Sequence, residues 1–171
     1  MKERLDKEEH VLDTYIPMEY RTENNHTALV PAISNIIFVR STYNQLREIR
    51  QNQYLYEPLR YIMQPTHDDQ GGATSEALHV PDHMMQQFIR VTKDRCDNVI
   101  LLDNLSFACK PGMKAQIIEG FYTGVTGVIK RIKKNLCLII PIEGVAAAAI
   151  LHVPRKHLRY ISDEEYEKGC K

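Results

Sequence analysis

The sequence predicts an α+β chain of two unlike parts, a helix-flanked antiparallel sheet followed by a small, strongly bent β-barrel. Three observations lead there. Amphipathic stretches of helical period alternate with apolar strand runs through the first half. From Cys109 onward the pattern becomes short strands punctuated by glycine turns. The charge changes at the same place: residues 1–109 carry 11 Lys+Arg against 16 Asp+Glu, whereas residues 110–162 carry 9 against 2. The acidic tail beyond Ser162 returns the net charge to zero. A break this sharp implies two units with different partners, the second basic enough to meet an anionic polymer.

Taken in order, Lys2–Asp13 reads as a helix with Leu5, Val11 and Leu12 as a thin apolar face. Thr14–Tyr20 reads as extended, with Pro17 at an edge or strand end. Arg21–Thr27 is polar and Asn-rich, the mark of a loop or hairpin tip. Ala28–Arg40 is the most apolar stretch of the first half, and Ile36–Val39 within it reads as a buried strand. Thr42–Gln51 is an amphipathic helix, Leu59–Gln64 a short apolar stretch ended by Pro65, and Thr66–Ser75 a loop. Ala77–Val80 is extended. Pro81 then opens a helix whose buried side is Met84, Met85, Phe88, Ile89 and Val91.

In the second half the expected strands are Lys114–Glu119, Val125–Ile132, Leu136–Ile142, Val145–Val153 and His157–Ile161. The resulting division is 1–103 for the first domain, 104–111 for a linker, 112–162 for the barrel and 163–171 for a polar tail.

The composition excludes several classes. With 43% hydrophobic and 26% charged residues, the chain is neither disordered nor fibrous. Its longest apolar run, Val145–Leu151, falls far short of the roughly 18 residues a membrane span needs. Met1–His10 is charged almost throughout and lacks the apolar core of a signal peptide. Cys96, Cys109, Cys137 and Cys170 are widely spaced without a CxxC pair, so no zinc site or disulfide framework is indicated. These features suit a reducing cytoplasm.

No enzyme is expected. His67, Asp68 and Asp69 cluster in a Gly-rich loop but have no third ligand at a defined spacing, so no metal is assigned. Cys96 and Cys109 have no nucleophile context. Dinucleotide, phosphate-loop, zincin and serine-hydrolase motifs are all absent from the sequence. No catalytic residue or cofactor is assigned.

The informative segment runs from Lys110 to Ile132. It is a strand, a glycine-bracketed reversal and a second strand, with Gly120, Gly124 and Gly127 at special backbone positions and Phe121 and Tyr122 at the loop tip. It resembles the KOW motif of NusG-type transcription factors and of some ribosomal proteins. Tyr15-Ile16-Pro17-Met18 looks like the NusG "Y-x-P" strand, and Leu29 to Val39 resembles the "F-P-G-Y-V-F-V" strand, with Ser34-Asn35 in place of Gly-Tyr. Val80-Pro81-Asp82 is similar to the start of that family's later helix. This wording is most similar to the UpxY-type NusG paralogues of Bacteroidetes, over roughly residues 2–161.

The resemblance implies a NusG amino-terminal domain joined to an SH3-like KOW barrel, and a transcription elongation or antitermination factor of surface-polysaccharide operons. It implies RNA polymerase as partner, bound at the clamp helices of its largest subunits by a patch of Leu29, Val30 and Pro31, with Ile33 and Asn35 nearby. Gly120, Phe121, Tyr122, Gly124 and Gly127 would form the partner-binding KOW loop. Glu143 and Val145 stand where the general factor carries the aromatic and arginine that dock a ribosomal protein or termination factor, which marks a specialised paralogue. Lys130, Arg131, Lys133 and Lys134 lie along one hairpin, with Arg155, Lys156 and Arg159 further on; they are candidate contacts to nascent RNA or DNA. The alternative is an RNA-binding, ribosome-associated KOW protein. The resembled family opens with a strand, whereas this chain starts on the helix. The expectation is therefore a sheet one strand short, an exposed apolar groove beside Lys2–Asp13, and self-association through an unpaired strand edge. The β-branched run Val125–Ile129 predicts that the second domain is all-β, not the helical hairpin some members adopt.

Overall fold

A computed structural model describes residues 1–52, 54–67, 72–93, 98–102, 112–132 and 135–168. The sequence features at Asp68, Asp69, Cys96, Cys109, Cys170, Lys133, Lys134 and the linker 104–111 lie outside the described residues. The chain is α+β, its strands paired antiparallel throughout the described residues. No helix among the described residues is long and apolar enough to cross a membrane.

Two compact units are formed, Met1–Leu78 and His79–Lys171. The division falls earlier than the expected boundary at 103, and the helix opened by Pro81 belongs to the second unit. The reason is pairing. Strand β7 (Val99–Leu102) runs antiparallel to β11 (Ala146–Ile150), with Leu102 opposite Ala147 and Val99 opposite Ile150. Helix α3 (Asp82–Lys93) lies against β7, β11 and β10 (Asn135–Ile142). Phe88 and Val91 of this helix are fully buried, and Ala147 and Ala149 pack with Ile139, Ile100 and Leu102 in the sheet.

In the first unit, α1 (Lys2–Leu5) is far shorter than the helix expected over Lys2–Asp13. Asp6 ends it. The Asp6 carboxylate accepts from Lys2 Nζ at 2.7 Å and from the hydroxyl of the buried Thr14, and Lys2 Nζ also donates to Thr14 Oγ1 at 2.8 Å. That side chain thus serves the neighbouring strand instead of a continuing helix. The bonds from Lys2 and Thr14 hold the Asp6 carboxyl below its ordinary 3.8. Because the folded value is the lower one, this stabilisation is in place above about pH 4 and is lost as the pH falls below it.

Leu5, Ile49 and Tyr56 form the core of this unit, packed by Val11, Ile37, Val39 and Leu59. Of the apolar face expected along Lys2–Asp13, Leu5 and Val11 pack in this cluster, while Leu12 is 73% exposed. Tyr56 donates its hydroxyl to Glu8 Oε1 at 2.8 Å, so its burial leaves no lost hydrogen bond. Helix α2 (Tyr43–Asn52) starts on a reciprocal cap, with Gln45 N donating to Thr42 Oγ1 and Thr42 donating to Gln45 Oε1.

The strands of the first unit make three separate two-stranded ladders, not one sheet. Strand β1 (Asp13–Tyr15) pairs with β4 (Phe38–Arg40), so the run expected over Ile36–Val39 becomes strand only from Phe38 and is half-buried. Strands β2 (Met18–Glu23) and β3 (His26–Pro31) form a hairpin, as do β5 (Met63–His67) and β6 (Ala73–Ala77). The stretch expected to be a loop from Thr66 to Ser75 thus carries strand at both ends.

The second unit is a six-stranded antiparallel sheet in the order β12-β8-β9-β10-β11-β7, where β8 is Lys114–Ile117, β9 is Thr126–Ile132 and β12 is Leu158–Tyr160. Its second-half strands fall within one to three residues of where the sequence places them, and Thr126–Ile132 is strand and not helix. Among the described residues no ladder closes this sheet into a barrel. An extra strand from before the linker occupies the flank of β11. The tail is also not simply polar coil, since Asp163–Lys168 forms α4. Its start is a capping box, with Glu165 N donating to Ser162 Oγ and Ser162 N donating to Glu165 Oε2.

Gly127 lies at the centre of this sheet. A Cβ there would stand 2.5 Å from the Ile139 carbonyl oxygen and 2.9 Å from the Leu138 side chain. Gly127→Ala should therefore force β9 and β10 apart and cost about 1–3 kcal/mol, read as a lower urea midpoint. An unchanged midpoint would refute the close approach.

Candidate functional site

The hairpin β2–β3 turns on Asn24 and Asn25, both in the left-handed region with φ of 49° and 63°. Two successive positive values make the tight two-residue turn whose twist matches paired strands, and Asn tolerates them best after Gly. The turn fixes the register: Tyr20 lies opposite Leu29, Met18 opposite Pro31, and Glu19 opposite Val30. Side chains alternate along a strand, so Met18, Tyr20, Leu29 and Pro31 share one face. Tyr20 is 76% and Leu29 53% exposed. A directly opposed aromatic–aliphatic pair left this open is an apolar platform on a two-stranded support.

The expected patch is thereby sorted. Leu29 and Pro31 are on the exposed face. Val30 is half-buried and points to the opposite face, beside Glu19. Ile33 is only 5% exposed and belongs to the interior. Asn35 is exposed and takes the left-handed conformation at φ 60°, a turn role. Tyr20 is not among the expected residues. Its signal is the Asn24-Asn25 pair, which sets the register once it is read as a two-residue turn.

The glycine loop of the second unit presents one aromatic and buries the other. Gly120 (φ 102°) and Gly124 (φ 90°) both need glycine for backbone reasons, and space around Gly120 is open. Thr123 N and Val125 N donate to the carbonyls of Gly120 and Tyr122, and Gly124 N donates to Ile117 O at 2.7 Å. These bonds close the loop onto the sheet. Tyr122 is 5% exposed and Phe121 64%. Their rings meet edge to face at 5.0 Å, so the buried tyrosine supports the exposed phenylalanine. Arg90 of α3 donates to the Phe121 carbonyl at 3.4 Å. Gly127 belongs to the sheet centre, so the structure brings together Gly120, Phe121, Tyr122 and Gly124 as one loop.

The basic residues do not form a single stripe. Lys130 lies opposite the buried Cys137, and the exposed Arg131 opposite Leu136, so the two point to opposite faces of β9. Arg155 and Lys156 are exposed in the short 3₁₀ turn before β12. Arg159 is engaged, donating to Gln116 Oε1 at 2.9 Å and pairing with Glu165 at 3.4 Å. Among the described residues no group of three His, Cys, Asp or Glu side chains is placed to hold a metal.

Truncation separates the two loop aromatics. Tyr122→Ala should cost about 3 kcal/mol or more, whereas Phe121→Ala should change stability by less than about 0.5 kcal/mol. Denaturant melts of both variants check this, and equal losses would contradict the division between support and display.

No family model, curated protein or solved structure matches the chain.

Proposed function

We propose that this chain is a NusG-like transcription elongation or antitermination factor of the cytoplasm, of UpxY type and serving particular surface-polysaccharide operons. In this reading it is a binding protein without an active site, and it docks on RNA polymerase through its first unit. The observation that carries the reading is the exposed Tyr20–Leu29 pair on the hairpin following the Tyr15–Met18 segment. In the resembled family the same part of the amino-terminal domain meets the clamp helices of the polymerase. An amphipathic helix pair needs a firm apolar counterpart, and burying a Tyr and a Leu side chain provides about 1.5–3 kcal/mol each.

The second unit supports the same reading in its Lys110–Ile132 motif and its displayed Phe121. The basic excess of residues 110–162 favours one other reading, a ribosome-associated RNA-binding protein. Affinity purification of the tagged full chain separates them. Core polymerase subunits are expected to co-purify, and ribosomes without polymerase would favour the alternative. Tyr20→Asp with Leu29→Asp should reduce polymerase recovery at least about tenfold with an unchanged circular dichroism spectrum. Val30→Thr, on the opposite face, should retain it. Full recovery with the double variant would remove this hairpin from the contact.

A further inference from the structure

The acidic tail helix does not trail away from the second unit; it lies on β8. Asp163 Oδ1 is 3.2 Å from Lys114 Nζ, and the Tyr166 ring sits 4.6 Å from the same ammonium. Glu165 pairs with Arg159 on β12, while Arg159 also binds Gln116 on β8. The backbone N–H of Ser162 and, after it, the charge of Arg159 hold the Glu165 carboxyl below its ordinary 4.5, so it is anionic where it meets the arginine.

We propose that the outer face of β8 and β12 is a binding surface for single-stranded nucleic acid, and that α4 covers it as a built-in anionic competitor. The face carries Lys114, Gln116 and Arg159, with Arg155 and Lys156 exposed in the turn that leads into β12. Its own side chains are two cations and one amide, and Tyr166 of α4 lines an apolar pocket beside them with Met84 and Ile140. Protein interfaces are anchored by buried apolar and aromatic groups, whereas a phosphate backbone is held by Lys, Arg and amide donors alone. The two carboxylates of α4 occupy places that phosphate oxygens would take on Lys114 and Arg159.

The cover is built to open. Both ion pairs lie at the surface, and pairs of that kind are individually weak. Tethering compensates, because a segment joined directly to β12 competes at a high effective concentration. A polyanion reaching Arg155 and Lys156 as well engages more cations than α4 satisfies, so it can displace the helix. This inference stands on the tail contacts and is independent of the polymerase reading.

The test compares the full chain with its Asp163→Asn/Glu165→Gln variant. The double change removes both charges, while the amide oxygen introduced at position 165 can still accept the Ser162 cap bond. Fluorescence anisotropy with a labelled oligouridine of about 15 nucleotides is read at about 50 and about 200 mM salt. The neutralised variant should bind about three- to tenfold more tightly at the lower salt, and its salt slope should be steeper by about 1 to 2. Adding Lys114→Ala and Arg159→Ala should erase the gain, with circular dichroism unchanged. Equal affinity of full chain and variant would overturn the proposal. So would a gain that survives Lys114→Ala/Arg159→Ala, since it would then reflect net charge and not this face. Absence of oligonucleotide binding together with capture of an acidic protein by the neutralised variant would overturn it too, and assign the face to a protein partner instead.

Discussion

Strands β9 and β10 run so close at Gly127 that one added methyl group would meet the Ile139 carbonyl oxygen at 2.5 Å. That approach sets the middle ladder of the six-stranded sheet, and the rest of the second unit is arranged around it. With β9 fixed, Lys114 pairs with Val128 and Gln116 with Thr126, which places β8. The reversal between β8 and β9 is then short enough to need Gly120 and Gly124 in left-handed conformations, and it throws Phe121 outward while Tyr122 packs inward. Thr126 N and Oγ1 donate to Gln87 Oε1 at 2.5 and 2.9 Å, so the same strand end also locates α3. Loop display and helix position follow from one backbone contact.

The first unit obeys a different constraint, the two-residue turn at Asn24-Asn25. A hairpin with one residue more or less at its tip would move Tyr20 to the opposite face, because side chains alternate strictly along a strand. Its cross-strand pairs agree with the observed register: the hydroxyls of Thr22 and Thr27 meet at 2.9 Å beyond the Tyr20–Leu29 pair. The two units therefore present unlike surfaces, an apolar hairpin face in the first and a cationic strand pair with a displayed aromatic in the second.

Much of this is legible in the residues, and the failures have physical causes. The strands from Lys114 to Ile161 can be read because β-branched runs and glycine turns act locally. The pairing of β7 with β11 cannot, since it joins Val99–Leu102 to a strand far along the chain and no local signal encodes it. Helix α1 is overread because its composition favours helix, while the bonds that stop it at Asp6 come from Thr14 in the next strand. Of the proposed polymerase patch, Leu29 and Pro31 emerge from an apolar run, but only the register separates them from Val30 and adds Tyr20, and burial removes Ile33. The capping box Ser162–Glu165 stands in the sequence as S-x-x-E and marks a helix where a polar tail is expected.

Amide hydrogen exchange of the full chain with and without core RNA polymerase tests the central functional claim most directly. Binding should slow exchange across Met18–Pro31, centred on Tyr20 and Leu29, with residues 112–162 unchanged by the polymerase alone. Protection confined to residues 112–162, with the hairpin exchanging as in the free protein, would contradict it.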